Sequence, residues 1–285
     1  MKENAGVTPG ASVDRLARRP RAVIRDIAAE LLAAVAFLTR LPVPGRAAID
    51  ARRTGASGFG LVGAAVGTAG ALALVAVGDR APLAAAALAI GAIAVVSGAL
   101  HLDGLADTID ALAAPTPGAA ARARKDPAVG PAGAVAIALV LFVDVALLAT
   151  LSGRGFGSAV TDGPVLAALA CIVAAAGSRA LPTLAVVVWR GRGAPTGAGL
   201  GGWFARSASR LSAAVAVGAA LAVAVAASAL AREPGLILGG AAGSIVGLVF
   251  AGWLARVRRG LDGDGLGAIV EVGFAAILLS VVLAS

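Results

Sequence analysis

Residues 82–100 read PLAAAALAIGAIAVVSGAL, carry no charged side chain, and run directly into His101-Leu-Asp103-Gly-Leu-Ala-Asp107-Thr-Ile-Asp110. The first part is long enough to cross a bilayer as a helix, since a span needs about 20 predominantly apolar residues. The second part places carboxylates at i, i+4 and i+7, which fall on one face if the segment is helical. The sequence therefore predicts a membrane span with an acidic helix at its mouth.

The rest of the chain is equally apolar. Of its 285 residues, 59% are hydrophobic and only 14% are charged, whereas soluble domains carry about 25% charged residues. The 39 glycines suit helices that pack closely in lipid, and the single cysteine, Cys171, is interpreted as a buried small side chain. The composition predicts an all-α, polytopic helix bundle in a lipid bilayer and excludes an ordinary soluble enzyme. No nucleic-acid partner is expected, and homo-oligomerisation is left open.

Hydropathy divides the chain into a tail and one transmembrane domain. Residues 1–26 are rich in arginine and are interpreted as a mobile cytoplasmic tail rather than a signal peptide. Residues 27–285 form the predicted catalytic domain. Its first apolar run, 27–41, is too short to span and is expected to form an interfacial or re-entrant helix, stopped by Pro42 and Pro44. Seven longer runs are expected to cross the membrane: 58–78, 82–100, 131–151, 164–188, 211–231, 235–254 and 265–284.

The connections between these runs differ in charge. Three or four Lys or Arg residues occur in each of 40–53, 101–129, 189–210 and 255–264, whereas the opposite connections hold one each, at Arg80, Arg154 and Arg232. The positive-inside rule places the basic connections in the cytoplasm of a bacterial cell, at its inner membrane. Every unusual polar motif then lies at the cytoplasmic face, as expected for an active site there.

The three carboxylates of the acidic helix have two interpretations. Asp103, Asp107 and Asp110 repel one another unless a cation lies between them, and clustered oxygen ligands suit Mg²⁺. The alternative is an acidic helix face that is simply solvated. His101, the only histidine, falls on the other side of the helical wheel and is either a site residue or a hydrogen-bonded structural group.

Two further segments carry basic residues that could contact phosphate. Residues 122–133 combine Arg and Lys with glycines at a helix start, where free N–H groups can bind anions; a plain topology anchor is the alternative. Arg179 lies inside the fourth long run, where a charge is costly and is usually functional or paired. It is expected to meet phosphate if Pro182 breaks the helix, or to pair with Asp144 at similar depth.

The last loop reads Arg256-Val-Arg-Arg-Gly-Leu-Asp262-Gly-Asp264-Gly. Its alternating Asp and Gly residues form either a metal-binding loop or an ordinary turn. Glu271 follows Asp264 by seven residues, so the two share a helix face.

These segments together resemble the adenosylcobinamide-GDP ribazoletransferases, the cobalamin synthases. The string His-Leu-Asp-Gly-Leu-Ala-Asp is the most specific match. Two departures are an alanine, Ala128, where the family often has Arg, and Asp262 where it has Thr. The matching segments are Phe37-Leu-Thr-Arg40-Leu-Pro-Val-Pro44, His101 to Asp110, Lys125-Asp126 with Gly130 and Gly133, Arg179 with Pro182, and Gly263-Asp264 with Leu266-Gly-Ala268 and Glu271.

The resemblance implies a Mg²⁺-dependent membrane enzyme that joins adenosylcobinamide-GDP to α-ribazole or its 5′-phosphate and releases GMP. Such a phosphotransfer needs positioning and charge neutralisation. The alternatives are a membrane CDP-alcohol phosphotransferase and a divalent-cation transporter. The predicted roles fall into three sets: catalysis by Asp103, Asp107, Lys125 and Arg179; substrate binding by Arg40, His101, Arg124, Asp126 and Glu271; metal binding by Asp103, Asp107, Asp110 and Asp264.

Overall fold

The computed structural model describes residues 10–43, 54–116, 118, 120, 128–154, 162–190 and 200–285. Within these residues every long regular element is an α-helix and no strand occurs, so the predicted all-α class is confirmed. A short 3₁₀ turn, Ala56–Gly58, precedes α2. The helices are α1 (Gly10–Leu38), α2 (Phe59–Val77), α3 (Pro82–Ser97), α4 (Leu100–Ala113), α5 (Pro131–Ser152), α6 (Gly163–Trp189), α7 (Leu200–Ser207), α8 (Arg210–Ala231), α9 (Gly235–Val257) and α10 (Gly263–Ala284).

Six helices, α2, α5, α6, α8, α9 and α10, are long and apolar enough to cross a membrane. A seventh span exists only if α3 and α4 count as one, because their axes differ by 91°. The chain is therefore a multi-pass helical membrane protein, as its composition predicts. Helix α1 begins at Gly10, so it extends into the segment interpreted as the tail.

Helix α6 lies in the middle of the bundle and α5 at its edge. The apolar window of α6 is 72% buried, against 22% for α5. On α5, Phe142 is 74% exposed, which is the expected state of a side chain that faces lipid. The charged Arg179 of α6 is only 2% exposed, so it lies inside the protein.

Helices α2 and α6 touch along glycines. A Cβ atom added to Gly63 would lie 2.4 Å from the Ala175 carbonyl oxygen, and one added to Gly67 would lie 2.8 Å from the Ile172 Cα. Only glycine allows backbones to approach this closely. Cys171 is buried at the same contact, with its Sγ 3.6 Å from the Gly67 carbonyl oxygen, which confirms its interpretation as a small buried side chain.

Pro182 could have broken the fourth span, but it does not. Helix α6 continues through it to Trp189. Proline removes one backbone N–H donor and crowds the preceding turn, but Pro182 is buried among neighbouring helices. Their packing holds the helix together, as it commonly does for prolines in membrane helices.

Candidate active site

The break between α3 and α4 forms a corner in the chain. Gly98 and Ala99 have φ values of 62° and 55°, and these two left-handed residues turn α4 away from the direction of α3. The Arg40 N–H donates to the Val96 carbonyl oxygen at 2.9 Å. The Arg40 side chain occupies the space that a Gly98 side chain would need, because an added Cβ would lie 2.3 Å from Arg40 Cγ. The corner thus brings Arg40 next to the start of α4.

Helix α4 packs directly on the first turns of α10. A Cβ atom added to Gly104 would lie 2.8 Å from the Asp264 carbonyl oxygen, and one added to Gly267 would lie 3.1 Å from the His101 carbonyl oxygen. The two backbones are therefore in contact, with no side chain between them. This contact brings Asp103 of α4 and Asp264 of α10 to the same place, as their joint assignment to a metal site requires.

A cavity of about 670 Å³ lies beside this contact. Four of the predicted site residues line it: Arg40, His101, Asp103 and Asp264. This volume falls in the range of small-molecule sites, which combine an apolar lining with a few placed polar groups. The structure therefore places residues from the N-terminal motif, the acidic helix and the last loop in one cavity.

Part of the cavity lining is aromatic and includes Phe37, Phe59 and Trp203. Phe37 lies with its ring centroid 5.4 Å from that of Phe59 and 6.4 Å from that of Trp203. Sequence reasoning missed Trp203, which comes from the short helix α7. A tryptophan in a polar connection of a chain with only 4% aromatic residues was the available signal. Flat rings such as nucleobases can stack on a wall of this kind.

The acidic side chains are close enough to affect one another. Asp107 lies on α4, outside the six continuous spans. Burial, followed by repulsion from Asp103 and Asp110, raises the pKa of Asp107, and Arg258 acts in the opposite direction. Asp264 interacts electrostatically with both Asp107 and Asp103. Repulsion of this kind is relieved by a proton or by a metal cation.

Asp110 has a structural task in addition to its predicted metal-binding role. Its Oδ2 accepts the N–H of Gly130 at 2.7 Å and its Oδ1 accepts the N–H of Gly133 at 2.8 Å. The carboxylate therefore caps the start of α5, where N–H groups lack helical partners. These two N–H groups are occupied by a carboxylate instead of being open to phosphate. Metal binding by Asp110 stays a prediction.

Asp262 also caps a helix, which favours the turn interpretation of that residue. Its Oδ1 accepts the N–H of Gly265 at 2.9 Å at the start of α10, and its Oδ2 forms an ion pair with Arg258 at 2.5 Å. Arg258 also donates to the Thr108 hydroxyl at 3.1 Å. Arg258 thus joins the last loop to α4, a function that sequence reasoning missed although the i, i+4 spacing to Asp262 was visible.

Arg179 does not line the large cavity. It lies with Asp144 and Glu271 around a separate space of about 20 Å³. Its Nη1 donates to the Ser178 hydroxyl at 3.1 Å, and its guanidinium lies 5.6 Å from the centroid of the Phe274 ring. No ion pair below 4.0 Å joins the described residues Arg179 and Asp144, so the two are neighbours without direct contact. A phosphate-binding role for Arg179 stays a prediction.

The remaining predicted residues differ in what the structure says of them. His101 is 5% exposed, and its Nδ1 is buried without a hydrogen-bond partner in the described part of the chain. Lys125, Arg124 and Asp126 lie outside the described residues, and their roles stay predictions.

The donor set at the large cavity fits Mg²⁺ in kind. In the part of the chain that the structure describes, no three His, Cys, Asp or Glu side chains converge on one metal position. However, Mg²⁺ is usually held by one or two carboxylates together with waters and substrate phosphates. Asp103 and Asp264 supply two carboxylates in one cavity, and no described cation pairs with either of them below 4.0 Å.

Comparison with known proteins gives the family. The family model described as cobalamin-5-phosphate synthase matches residues 30–282. Three relatives carry the name adenosylcobinamide-GDP ribazoletransferase. The protein from Nocardioides sp. is 36% identical over 87% of this chain and 95% of its own length. The proteins from Rhizobium johnstonii and Chlorobaculum tepidum are 32% and 35% identical over 87% of this chain, and over 94% and 93% of their own lengths.

No solved structure matches the chain. The matched region runs from the middle of α1 to the end of α10 and includes every residue of the large cavity. The resemblance seen in the motifs therefore extends over nearly the whole length, and this chain belongs to the cobalamin-5-phosphate synthase family.

Proposed function

We propose that this protein is an enzyme that joins adenosylcobinamide-GDP to α-ribazole, or to its 5′-phosphate, and releases GMP. The product is adenosylcobalamin or its 5′-phosphate. The observation that carries the proposal is the 670 Å³ cavity, which is lined by carboxylates from α4 and α10 and by aromatic side chains. The names of the relatives agree with it, and they do not favour a CDP-alcohol phosphotransferase or a cation transporter.

The reaction exchanges one phosphate bond for another. A hydroxyl oxygen of the ribazole forms a bond to the phosphorus that stays with the cobinamide. The bond from that phosphorus to the bridging oxygen breaks, and GMP leaves with the bridging oxygen. The hydroxyl proton passes to one of the carboxylates at the site. Such a transfer is accelerated mainly by in-line positioning and by neutralisation of charge.

The cavity residues suit these tasks. Asp103 and Asp264 would hold Mg²⁺, with Asp107 beside them. When bound there, the ion would neutralise charge on the diphosphate oxygens. Arg40, an exposed residue at the cavity, would bind a phosphate oxygen. The rings of Phe37 and Trp203 would stack against the guanine or the ribazole base.

The experiment is a GMP-release assay with the full-length protein in lipid nanodiscs. We expect GMP to appear only when adenosylcobinamide-GDP, α-ribazole 5′-phosphate and Mg²⁺ are all present. Release without the ribazole would indicate a hydrolase. No release with either α-ribazole or its phosphate would contradict the proposal.

We further propose that the site faces the cytoplasm at the inner membrane, because the basic connections lie at that end of the spans. Single cysteines at positions 118 and 233 should then react with membrane-impermeant reagents from opposite sides. Reaction of both from the same side would contradict this topology.

A further inference from the structure

A second, much smaller cavity lies next to the proposed active site and shares Ser97 with it. Its volume is about 20 Å³, and it is lined by Asp144 of α5, Arg179 of α6 and Glu271 of α10. The other lining side chains are apolar, and the Ser97 hydroxyl already donates to the Ile93 carbonyl oxygen at 2.8 Å. Three charged groups from three helices therefore meet around a space about the size of one water molecule.

The formal charges of this cluster do not balance. Two carboxylates and one guanidinium leave one negative charge, although Asp144 and Arg179 are each only 2% exposed. A net charge in apolar surroundings is costly unless it is paired or neutralised. The other titratable groups that interact with Arg179 are Cys171 and His101. Protonating His101 would place a second buried cation beside Arg179, so the balancing proton belongs on a carboxylate.

The two carboxylates differ in their surroundings. Glu271 is partly exposed. Asp144 is only 2% exposed. Its Oδ1 is fully buried and has no hydrogen-bond partner among the described residues. An ionised oxygen in that position would be unsatisfied, so Asp144 is the group that takes the proton.

We propose that this small cavity binds one water molecule and that the cluster holds one proton, on Asp144, so that Arg179 and Glu271 form a water-bridged charge pair in an electrically neutral site. A buried water needs about 10–15 Å³ and two to four polar partners. The cavity supplies about 20 Å³, and the partners are the Asp144 carboxyl group, the Arg179 guanidinium and the Glu271 carboxylate.

The cluster joins the helices that build the active site. Glu271 lies two turns beyond Asp264 on α10, and Ser97 lies just before the corner that leads to Asp103. Asp144, Arg179 and Glu271 are therefore positioning residues that fix α10 and α3 relative to α5 and α6. The proton and the water depend on packing alone and would be present whatever reaction the cavity catalyses, so their test is independent of the proposed function.

Infrared spectroscopy of the full-length protein in nanodiscs tests the proton directly. We expect the carbonyl stretch of a protonated carboxylic acid at neutral pH in the wild type. It should disappear in Asp144→Asn. It should also disappear in Glu271→Gln, because an ionised Asp144 then balances Arg179 without a proton. A band that is unchanged in Asp144→Asn, or no such band in the wild type, would overturn the proposal.

Thermal stability gives a second measurement. Asp144→Asn keeps both shape and charge if Asp144 is protonated, so its Tm should stay within about 3 °C of the wild type, a change of roughly 1 kcal/mol. Glu271→Gln makes an ionised Asp144 the counter-charge to Arg179, with a buried Oδ1 that lacks a hydrogen-bond partner, and should lower Tm by about 6 °C or more. A large loss in Asp144→Asn, including failure to fold, would show that the ionised form is needed and would overturn the assignment.

The water is tested by a cryo-electron microscopy map that resolves ordered solvent. We expect one density peak between Asp144 and Arg179. A cavity without density would overturn the water-bridged pair. If Glu271→Gln does not fold, the wild-type and Asp144→Asn spectra and this map still decide the proposal.

Discussion

The two polar regions of this protein use the same kinds of side chain in opposite ways. At the large cavity, Asp103 and Asp264 line about 670 Å³ of open space, and no described cation pairs with either below 4.0 Å. Asp144, Arg179 and Glu271 form an inner cluster around the small cavity of about 20 Å³. Carboxylates with room around them can take a metal ion and a substrate, whereas buried ones must be balanced by their neighbours.

This contrast explains why Arg179 and Arg40 are not equivalent. Arg40 is exposed at the large cavity and can reach a phosphate by moving its side chain. Arg179 is 2% exposed and lies in the inner cluster beside Asp144 and Glu271. The same residue type therefore lies at an open cavity in one region and among packed helices in the other.

The largest effect is expected from removing a carboxylate at the large cavity. Asp103→Asn and Asp264→Asn should each lower the rate of GMP release by about 100-fold or more, the scale seen when a group that stabilises transition-state charge is lost. The Tm should not fall, because repulsion among the acids is reduced. Asp79→Asn, at an exposed acid of another connection, is the control. Near wild-type rates in both variants would remove the acidic site from the mechanism.

A smaller effect is expected from separating α4 and α10. The added methyl group of Gly104→Ala would lie 2.8 Å from the Asp264 carbonyl oxygen, so the helices must move apart. We expect a stability loss of about 1–3 kcal/mol and a rate of GMP release lower by roughly 10-fold. Gly91→Ala is the matched control, because nothing lies within 4 Å of its added Cβ. Equal behaviour of the two variants would show that the contact does not set the geometry of the site.

Asp110→Asn distinguishes the capping role from the metal-binding role. Loss of the cap should lower stability by about 1 kcal/mol, measured by thermal unfolding, because the amide cannot accept both N–H groups. If capping is its only task, the Mg²⁺ concentration that gives half-maximal GMP release should be unchanged. A clear increase in that concentration would instead support the metal-binding prediction.

The smallest effect is a pH dependence of stability in Mg²⁺-free buffer. Because the pKa of Asp107 is raised in the folded protein, the folded state binds a proton more readily than the unfolded chain does. Stability should therefore fall as the pH rises from the ordinary carboxyl value of about 4 through the raised pKa. Asp107→Asn should reduce this slope, as should added Mg²⁺. A slope that is identical in the wild type and Asp107→Asn would show that Asp107 is not the source of this pH dependence.

The spans could be predicted from sequence because lipid imposes a length and a composition. The runs 131–151 and 164–188 differ by at most one residue at each end from Pro131–Ser152 and Gly163–Trp189. The family resemblance rested on short motifs, and the comparisons confirm it. Whether Pro182 breaks its helix could not be predicted, because the outcome depends on the packing of neighbouring helices, which a local sequence rule does not contain.

The geometry of the sites was harder to predict from the sequence than the spans were. The corner depends on a left-handed alanine, Ala99, which no local rule predicts. The partners of Asp110 lie 20 and 23 residues away, across a segment of small residues. The similar depth of Arg179 and Asp144 was predicted from counting, but their sharing of a cavity with Glu271 depends on the rotation of three helices, which hydropathy does not fix.

The backbone contact between α4 and α10 also limits how the enzyme can move. No rotamer change can alter the distance between the two helices that carry Asp103 and Asp264, because their backbones are in direct contact at Gly104 and Gly267. The part of the cavity formed by α4 and α10 is therefore rigid. Adaptation to the proposed corrinoid substrate would then fall to the aromatic part of the lining, where Phe37 and Trp203 lie. Substrate selectivity should accordingly evolve at that aromatic part, while the chemistry stays fixed at the glycine contact.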